Sequence, residues 1–560
     1  MYDSDKHTQR HHRNTPKTPG CTDDIISLAV SCDGKSVAVG ERGKRPVIAV
    51  VDTTTMATVA SLKGHRNGVA QLAFSNGGAL LASVGLDDNH TVIVYEWKTG
   101  TVAFTAKGDT NQIMGVSWAP DDSYFVTVGV NHIYFWEAKG RTYNKTRGIL
   151  GDTALMTTFL NCGFSDSGKA VIASAEGDLL RFSGDWTYKS SIKAHEGAIS
   201  AMWQGSGELV TGGADGKIKF WNTKTFDVTK EYSLAAGIRS VCTEPGQPLL
   251  VGTVESEVWQ IAGDGRQTKL FESHYAAWHH MGELWGCAPH PKKQRFASCG
   301  DDRTVRTWDV VARKELRKAS FEGLMRAIAY SPDGRHLAVA FGGRLGGKED
   351  GLCGAYKVLD AETLEVVAAG QDSDAWVQEI KYSPDGATLA IGSHDDKVYL
   401  YDVAGGYKKK AICKGHSSYI THIDFTADSR FLHTNCGAYE LLFWDANTGK
   451  QDPSGATNLR DAEWASWTAV LGWPVQGIWP PLADGTDINA TDRSHSGMLL
   501  ATADDYGTVK MFNYPVVKTG AASAVFTGHT SHVTNVRFLF DDKTVITVGG
   551  NDRCLFQWKL

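Results

Sequence analysis

The chain is poor in proline and lacks a charge excess of one sign, a membrane-length apolar run and paired cysteines. Proline is 15 of 560 residues, well under the usual share of about 5%. Glycine is in excess at 60, and with proline so scarce this is not a disordered Pro/Gly tract. Lys plus Arg is 57 against 63 Asp plus Glu, a net charge of −6, so no global field favours nucleic acid or an anionic membrane. Neither is expected as a partner. No stretch approaches the roughly 18–20 apolar residues of a membrane span, and the first residues, MYDSDKHTQRHHRNTPKTPG, have no apolar signal core. A soluble intracellular protein is expected. Ten cysteines are scattered without a CxxC pair, which argues against a zinc module or a thioredoxin-like site and for reduced thiols packed as small hydrophobes. No long segment carries the 3.6-residue period of an amphipathic helix, and no GxSxG nucleophile elbow occurs.

What the sequence has is repetition. Residues 195–222, HEGAISAMWQGSGELVTGGADGKIKFWN, read as an alternating strand, a turn, a small-residue strand ending Gly-Gly, an Asp-Gly turn and a strand ending Phe220-Trp221. The same grammar recurs at 283–309, 376–402 and 528–558, with looser copies beginning near Asp24, Gly64, Gly108, Thr153, Ala235, Glu322, Gly415 and Asp461. Twelve units in 560 residues give about 47 residues each, close to the 40–45 of WD40 repeats once insertions are allowed. The pattern predicts an all-β protein. Twelve blades exceed the four to eight of one closed propeller, so two tandem rings of about 12–13 blades in total are expected, divided within 272–282, each ring closing by pairing strands from its two ends. A partial thirteenth blade falls at 452–490. The domains so read are a polar basic tail 1–23, an N-terminal WD40 propeller 24–273 and a C-terminal one 274–560.

Several units carry the polar set that locks a WD40 blade: His195, Thr211, Asp215 and Trp221 in one, His529, Thr547, Asp552 and Trp558 in another. A buried histidine can bridge turn aspartate and strand hydroxyl while the indole N–H is also satisfied, which tethers the entry loop to the hairpin. Because the set recurs unit after unit, it is structural. No catalytic residue, cofactor or metal site is expected.

The runs 415–445 (GHSSYITHIDFTADSRFLHTNCGAYELLFWD), 464–495, 503–515 and 528–538 go beyond generic repeat grammar. Trp479-Pro480 followed by Asp484-Gly485-Thr486-Asp487-Ile488-Asn489 is similar to the signature loop of the echinoderm microtubule-associated protein-like family, and the resemblance extends over roughly 24–560, through 392–401, 280–291, 194–201 and 131–136. It implies paired atypical propellers in a non-enzymatic scaffold that binds tubulin, microtubules or microtubule-bound and axonemal proteins, in the cytoplasm, on the cytoskeleton or in a ciliary axoneme. A general protein-interaction adaptor without tubulin contact is the alternative. Members commonly place a Trp/Leu-rich motif before the first propeller, and many add a coiled coil; residues 1–23 carry no heptads, which points to action through propeller faces.

Local basic groups are the candidate contacts to acidic tubulin: Lys6, Arg10, Arg13 and Lys17 in the tail, Arg344 and Lys348 in the insertion GGRLGGKE, and Lys408, Lys409 and Lys410 at a blade tip. The insertion nearly spells a phosphate loop, but Glu349 replaces the Ser or Thr that binds magnesium, and strands flank it. The Asp484–Asn489 loop lacks the EF-hand spacing; its side chains are expected to satisfy local backbone groups. Tryptophans 464, 467, 473 and 479 are expected to bury as the local core. His274, His279 and His280 read as surface or interface residues in a linker.

Overall fold

The computed structural model of the chain describes residues 2–3, 8–9, 25–140, 142–151, 156–205, 207–243, 246–272, 274, 282–345, 348–349, 352–480 and 483–560, with backbone only at 2–3, 8–9, 271, 344–345 and 348–349. Among them the only helices are a four-residue turn, Gly455–Asn458, and a 3-10 segment, Trp473–Ile478. Otherwise the chain is β: twelve antiparallel sheets of three or four strands, in two compact units, Thr15–Glu272 and Ser273–Leu560 with Met1–Asn14. No helix of the described residues is long and apolar enough to cross a membrane.

The first unit contains six four-stranded blades, at 25–63, 69–106, 113–147, 159–193, 199–233 and 238–272. Each is a meander in chain order, so every pairing is a hairpin. Burial follows position within the blade. The second strand, as in Tyr124–Gly129, is buried throughout, whereas the outermost, as in Thr101–Ala106, is mostly exposed. The small residues of the second strands are what let neighbouring blades approach face to face. Between the fourth and fifth blades, for example, Val171, Ala173 and Leu179 meet Ile199, Leu209 and Trp221. A register shift follows the first pair of the innermost hairpin in blade after blade, between Val69 and Gln71, Ile113 and Gly115, Ile199 and Ala201, Ile420 and His422, and Val533 and Asn535. Such a bulge sharpens the right-handed twist, which a propeller blade needs at its inner edge. Turns of the Pro-Asp-Gly type place Gly334 and Gly386 at φ 78° and 73°, where a side chain would be strained.

The second unit contains blades at 284–320, 325–371, 377–414, 420–445, 488–527 and 533–559. The blade at 420–445 and the last one have three strands each. Within 325–371 the insertion forms its own small hairpin, Arg344–Leu345 against Lys348–Glu349. The ring closes by packing one blade face on another; among the described residues no strand is exchanged between its two ends. Leu284, Cys287 and Phe296 of the first blade pack on Leu539, Ile546 and Val548 of the last, with Thr534 Oγ1 donating to the Leu284 carbonyl at 2.8 Å and Leu284 N–H to Gly550 O at 3.3 Å.

The unit read as beginning near Asp461 starts its strands only at Ile488. Residues 452–480 and 483–487 instead form an irregular wedge beside the blade at 420–445. A bridge between Thr426 and Trp464 joins it to that blade, and its core, in which Trp464, Trp467, Val475 and Ile478 pack together, reaches Leu500 and Phe512 of the blade at 488–527.

Candidate functional site

The polar sets foreseen from the repeats are assembled as hydrogen-bonded networks. His195 Nδ1 is 3.0 Å from Asp215 Oδ1 and its Nε2 is 2.8 Å from Thr211 Oγ1, which also accepts Trp221 Nε1–H at 2.8 Å. His529 repeats this with Asp552 at 3.0 Å, Thr547 at 2.8 Å and Trp558 donating to Thr547 at 2.8 Å. Each aspartate also accepts the backbone N–H after the histidine, from Glu196 and from Thr530, both at 3.0 Å. The network therefore ties the entry loop to the hairpin of the same blade. Burial holds the His195 ring below its ordinary value, with Asp215 pulling it back up.

Two further sets were not read from the sequence. His274 is buried, not a surface residue: it bridges Asp302 at 2.7 Å and Ser298 Oγ at 2.7 Å, and Trp308 Nε1–H donates to the same hydroxyl at 2.8 Å. Serine in place of threonine and the linker-like surroundings of His274 hid this set. His279 and His280 lie outside the described residues. The second set is His416, Thr434 and Trp444, with Glu440 where the others have aspartate.

The loop at 483–489 uses its side chains on its own backbone. Asp484 Oδ1 accepts Thr486 N–H and Oγ1–H, both at 3.1 Å, and Asp487 Oδ2 accepts Asp484 N–H at 2.9 Å. Asn489 Nδ2 reaches Asp505 Oδ1 at 2.8 Å and the Val533 carbonyl at 3.1 Å, linking this blade to the next. Gly485 sits against the Tyr439 ring, which a Cβ would strike. Ile488 is buried, Pro480 is exposed, and Trp479 donates to the Val470 carbonyl at 3.2 Å. Trp464 and Trp467 are buried as expected, but Trp473 is 67% exposed. It opens the 3-10 segment, whose three-residue turn puts Trp473 and Gln476 on the outer side and Val475 and Ile478 inside.

The residue that fastens the wedge is Asp424, fully buried. It takes Lys381 Nζ at 2.8 Å, Thr468 N–H at 2.8 Å and Ala469 N–H at 3.0 Å, besides the Ser466 and Thr468 hydroxyls. Burial opposes its charge, yet Lys381, His433 and these donors hold its carboxyl well below the usual range. Nothing in the local sequence marks it, because its partners lie some forty residues away on either side.

Inside the same unit a cavity of about 180 Å³ is lined by Trp285, Arg326, Glu379, His422, Asn535 and Arg537 among others. Charged groups around it are strongly shifted. Burial lowers His422 to about 4 and raises Glu379, and it pushes nearby Asp492 up to about 6 against the pull of Arg537. The cavity is thus polar but largely self-neutralised.

Of the basic candidates, Lys408, Lys409 and Lys410 open the outermost strand, Lys408–Lys414, of their blade; the tip turn lies just before them. Lys409 pairs with Asp372, and Lys410 Nζ donates to Thr388 Oγ1 at 2.7 Å. Lys408 is exposed to solvent. Arg344 and Lys348 sit on facing strands of the inserted hairpin, their side chains outside the described residues. Lys6, Arg10, Arg13 and Lys17 also lie outside the described residues.

Two family models cover nearly the whole chain: the echinoderm microtubule-associated protein first beta-propeller matches residues 8–261, and the second beta-propeller matches 284–560. The chain belongs to the echinoderm microtubule-associated protein-like family. It is 35% identical to echinoderm microtubule-associated protein-like 2 of Rattus norvegicus, over all of this chain and 86% of that protein. It is 34% identical to echinoderm microtubule-associated protein-like 1 of Homo sapiens over 69% of that protein, and 33% identical to the 77 kDa echinoderm microtubule-associated protein of Strongylocentrotus purpuratus over 81% of it. Membership accounts for the tandem blades.

Proposed function

We propose that the chain is a non-enzymatic microtubule-associated scaffold that binds tubulin or microtubule-bound proteins through propeller faces and loops. One observation carries this reading: similarity running over the entire chain to proteins named for their association with microtubules. The two propellers, read as 24–273 and 274–560 behind the basic tail 1–23, act as rigid supports. Rigid blades hold many loops at fixed positions, so several modest contacts act together. With a net charge of −6, attraction to an acidic lattice rests on local groups: Lys408, the hairpin residues Arg344 and Lys348, and Lys6, Arg10, Arg13 and Lys17. Its cellular place on this reading is the cytoplasmic microtubule, with the ciliary axoneme as a narrower form.

Cosedimentation of the purified chain with microtubules across a salt series tests this. Pelleting at low salt that declines as salt rises is expected, because exposed charges are screened beyond about 10 Å at 0.1 M. A chain that stays in the supernatant at low salt is an adaptor without direct tubulin contact.

A further inference from the structure

Among the blades locked by a histidine, a strand hydroxyl and a turn acid, one differs chemically. Two residues after the hydroxyl-bearing position stand Gly85, Gly213 and Gly549, and a Cβ at any of them would land on the histidine Nδ1 and on the turn aspartate. The equivalent place in the blade at 420–445 is Cys436, two residues beyond Thr434. There the acid is a longer residue further along the turn, Glu440. The paired replacement inserts a thiol where His195 and His529 contact their aspartates directly at 3.0 Å. Cys436 Sγ is 3.1 Å from Glu440 Oε2, which is itself 3.1 Å from His416 Nδ1. All three donor atoms lie within 4.8 Å of one another.

We propose that His416, Cys436 and Glu440 form a binding site for one divalent metal ion of borderline softness, of the zinc class. A thiolate, an imidazole and a carboxylate are the donors such an ion takes, at about 2.3 Å, 2.0–2.1 Å and 2.0–2.2 Å. A tetrahedron with those bonds has edges of roughly 3.3–3.7 Å, near the two separations already present. Oxygen-preferring magnesium or calcium is disfavoured by the sulfur and nitrogen donors.

The surroundings prepare the ligands. His416 is buried, and its Nε2 lies 2.6 Å from Thr434 Oγ1, a second contact that fixes the ring and aims Nδ1 at the site. Ser417 holds Glu440 through N–H at 3.0 Å and Oγ–H at 2.8 Å. On binding, the Nδ1 lone pair, the sulfur and one carboxylate oxygen bind the ion. The thiol proton leaves to solvent, and the imidazole proton resides on Nε2, donated to Thr434. Thiolate and carboxylate together balance the dication. Glu440 is a third exposed, so a water completes the fourth position.

The test uses the full chain, stripped with a chelator and titrated with cobalt(II) as a spectroscopic stand-in, with zinc(II) as competitor. One equivalent is expected to give a near-ultraviolet thiolate-to-cobalt charge-transfer band that zinc abolishes. Cys436→Ser should lose the band, and Glu440→Gln should keep it but bind at least tenfold more weakly. Zinc should also raise the melting temperature of the native chain and leave that of Cys436→Ser unmoved. No band in the native chain, or an undiminished one in Cys436→Ser, overturns the proposal. If the serine variant does not fold, Glu440→Gln decides: unchanged affinity there overturns it equally.

Discussion

Replacing Asp424 by alanine tests whether the irregular wedge at 452–480 belongs to the second propeller as a structural part. The substitution removes the acceptor for Lys381 Nζ, for the backbone N–H groups of Thr468 and Ala469, and for two hydroxyls. Lys381 is left largely buried without its counter-charge, at 18% side-chain exposure. Breaking a buried pair from one side costs about 3–5 kcal/mol. With unfolding entropy of about 2.1 cal/mol/K per residue, a unit of this size should lose roughly 5–8 °C in its melting transition. Scanning calorimetry on the full chain reads this as a downward shift of one transition. Adding Lys381→Met to the alanine variant should recover part of the loss, since the stranded charge goes with it. The sign with pH is also defined. Asp424 has a depressed folded-state pKa, so its stabilisation is fully present above the unfolded value of about 3.9 and is lost only as pH falls through the depressed one. The gap between native and variant should be flat from about pH 5 to 8. A shift below about 2 °C, or a gap that closes between pH 5 and 8, would refute the reasoning.

Three other outcomes are expected. Thr211→Val strands His195 Nε2 and Trp221 Nε1 together and should cost about 2–4 kcal/mol in denaturant unfolding, whereas Thr211→Ser keeps the acceptor and should cost about 1 kcal/mol or less. Asp492 has a raised folded-state pKa of about 6, so its contribution favours folding below the unfolded value and is lost as pH rises through 6. Asp492→Asn, whose carbonyl still accepts Phe538 N–H, should therefore flatten stability between about pH 4 and 6 and gain roughly 2–3 kcal/mol at pH 7; equal pH slopes in both proteins would contradict this. Lys408→Glu should reduce microtubule pelleting at low salt with an unchanged melting temperature, since Lys408 is exposed on an outermost strand.

The legible parts of the molecule are those whose partners lie close in sequence. Each blade is a meander of hairpins, so alternation, Asp-Gly turns and the spacing of His195, Thr211, Asp215 and Trp221 expose it within some thirty residues. Where the fold uses distant partners the pattern fails. Asp424 looks like any strand aspartate until the chain brings Thr468 and Ala469 to it. His274 precedes its blade by a linker-like stretch and is bound to a serine. Composition alone groups Trp473 with its neighbours, but the 3-10 turn decides which of them face the core. The turn before lysines 408–410 runs through two successive positive-φ residues, Gly406 at 78° and Tyr407 at 62°, so the strand begins at Lys408, a boundary that the Gly405-Gly406 pair alone leaves open.

The most direct test of the scaffold reading is a density map of microtubules decorated with the full chain. The account predicts two propellers on the lattice, with tubulin meeting loops and basic groups that include the hairpin at 344–349 or the strand face at Lys408. A bare lattice at saturating protein, or density that touches tubulin only elsewhere, would contradict it.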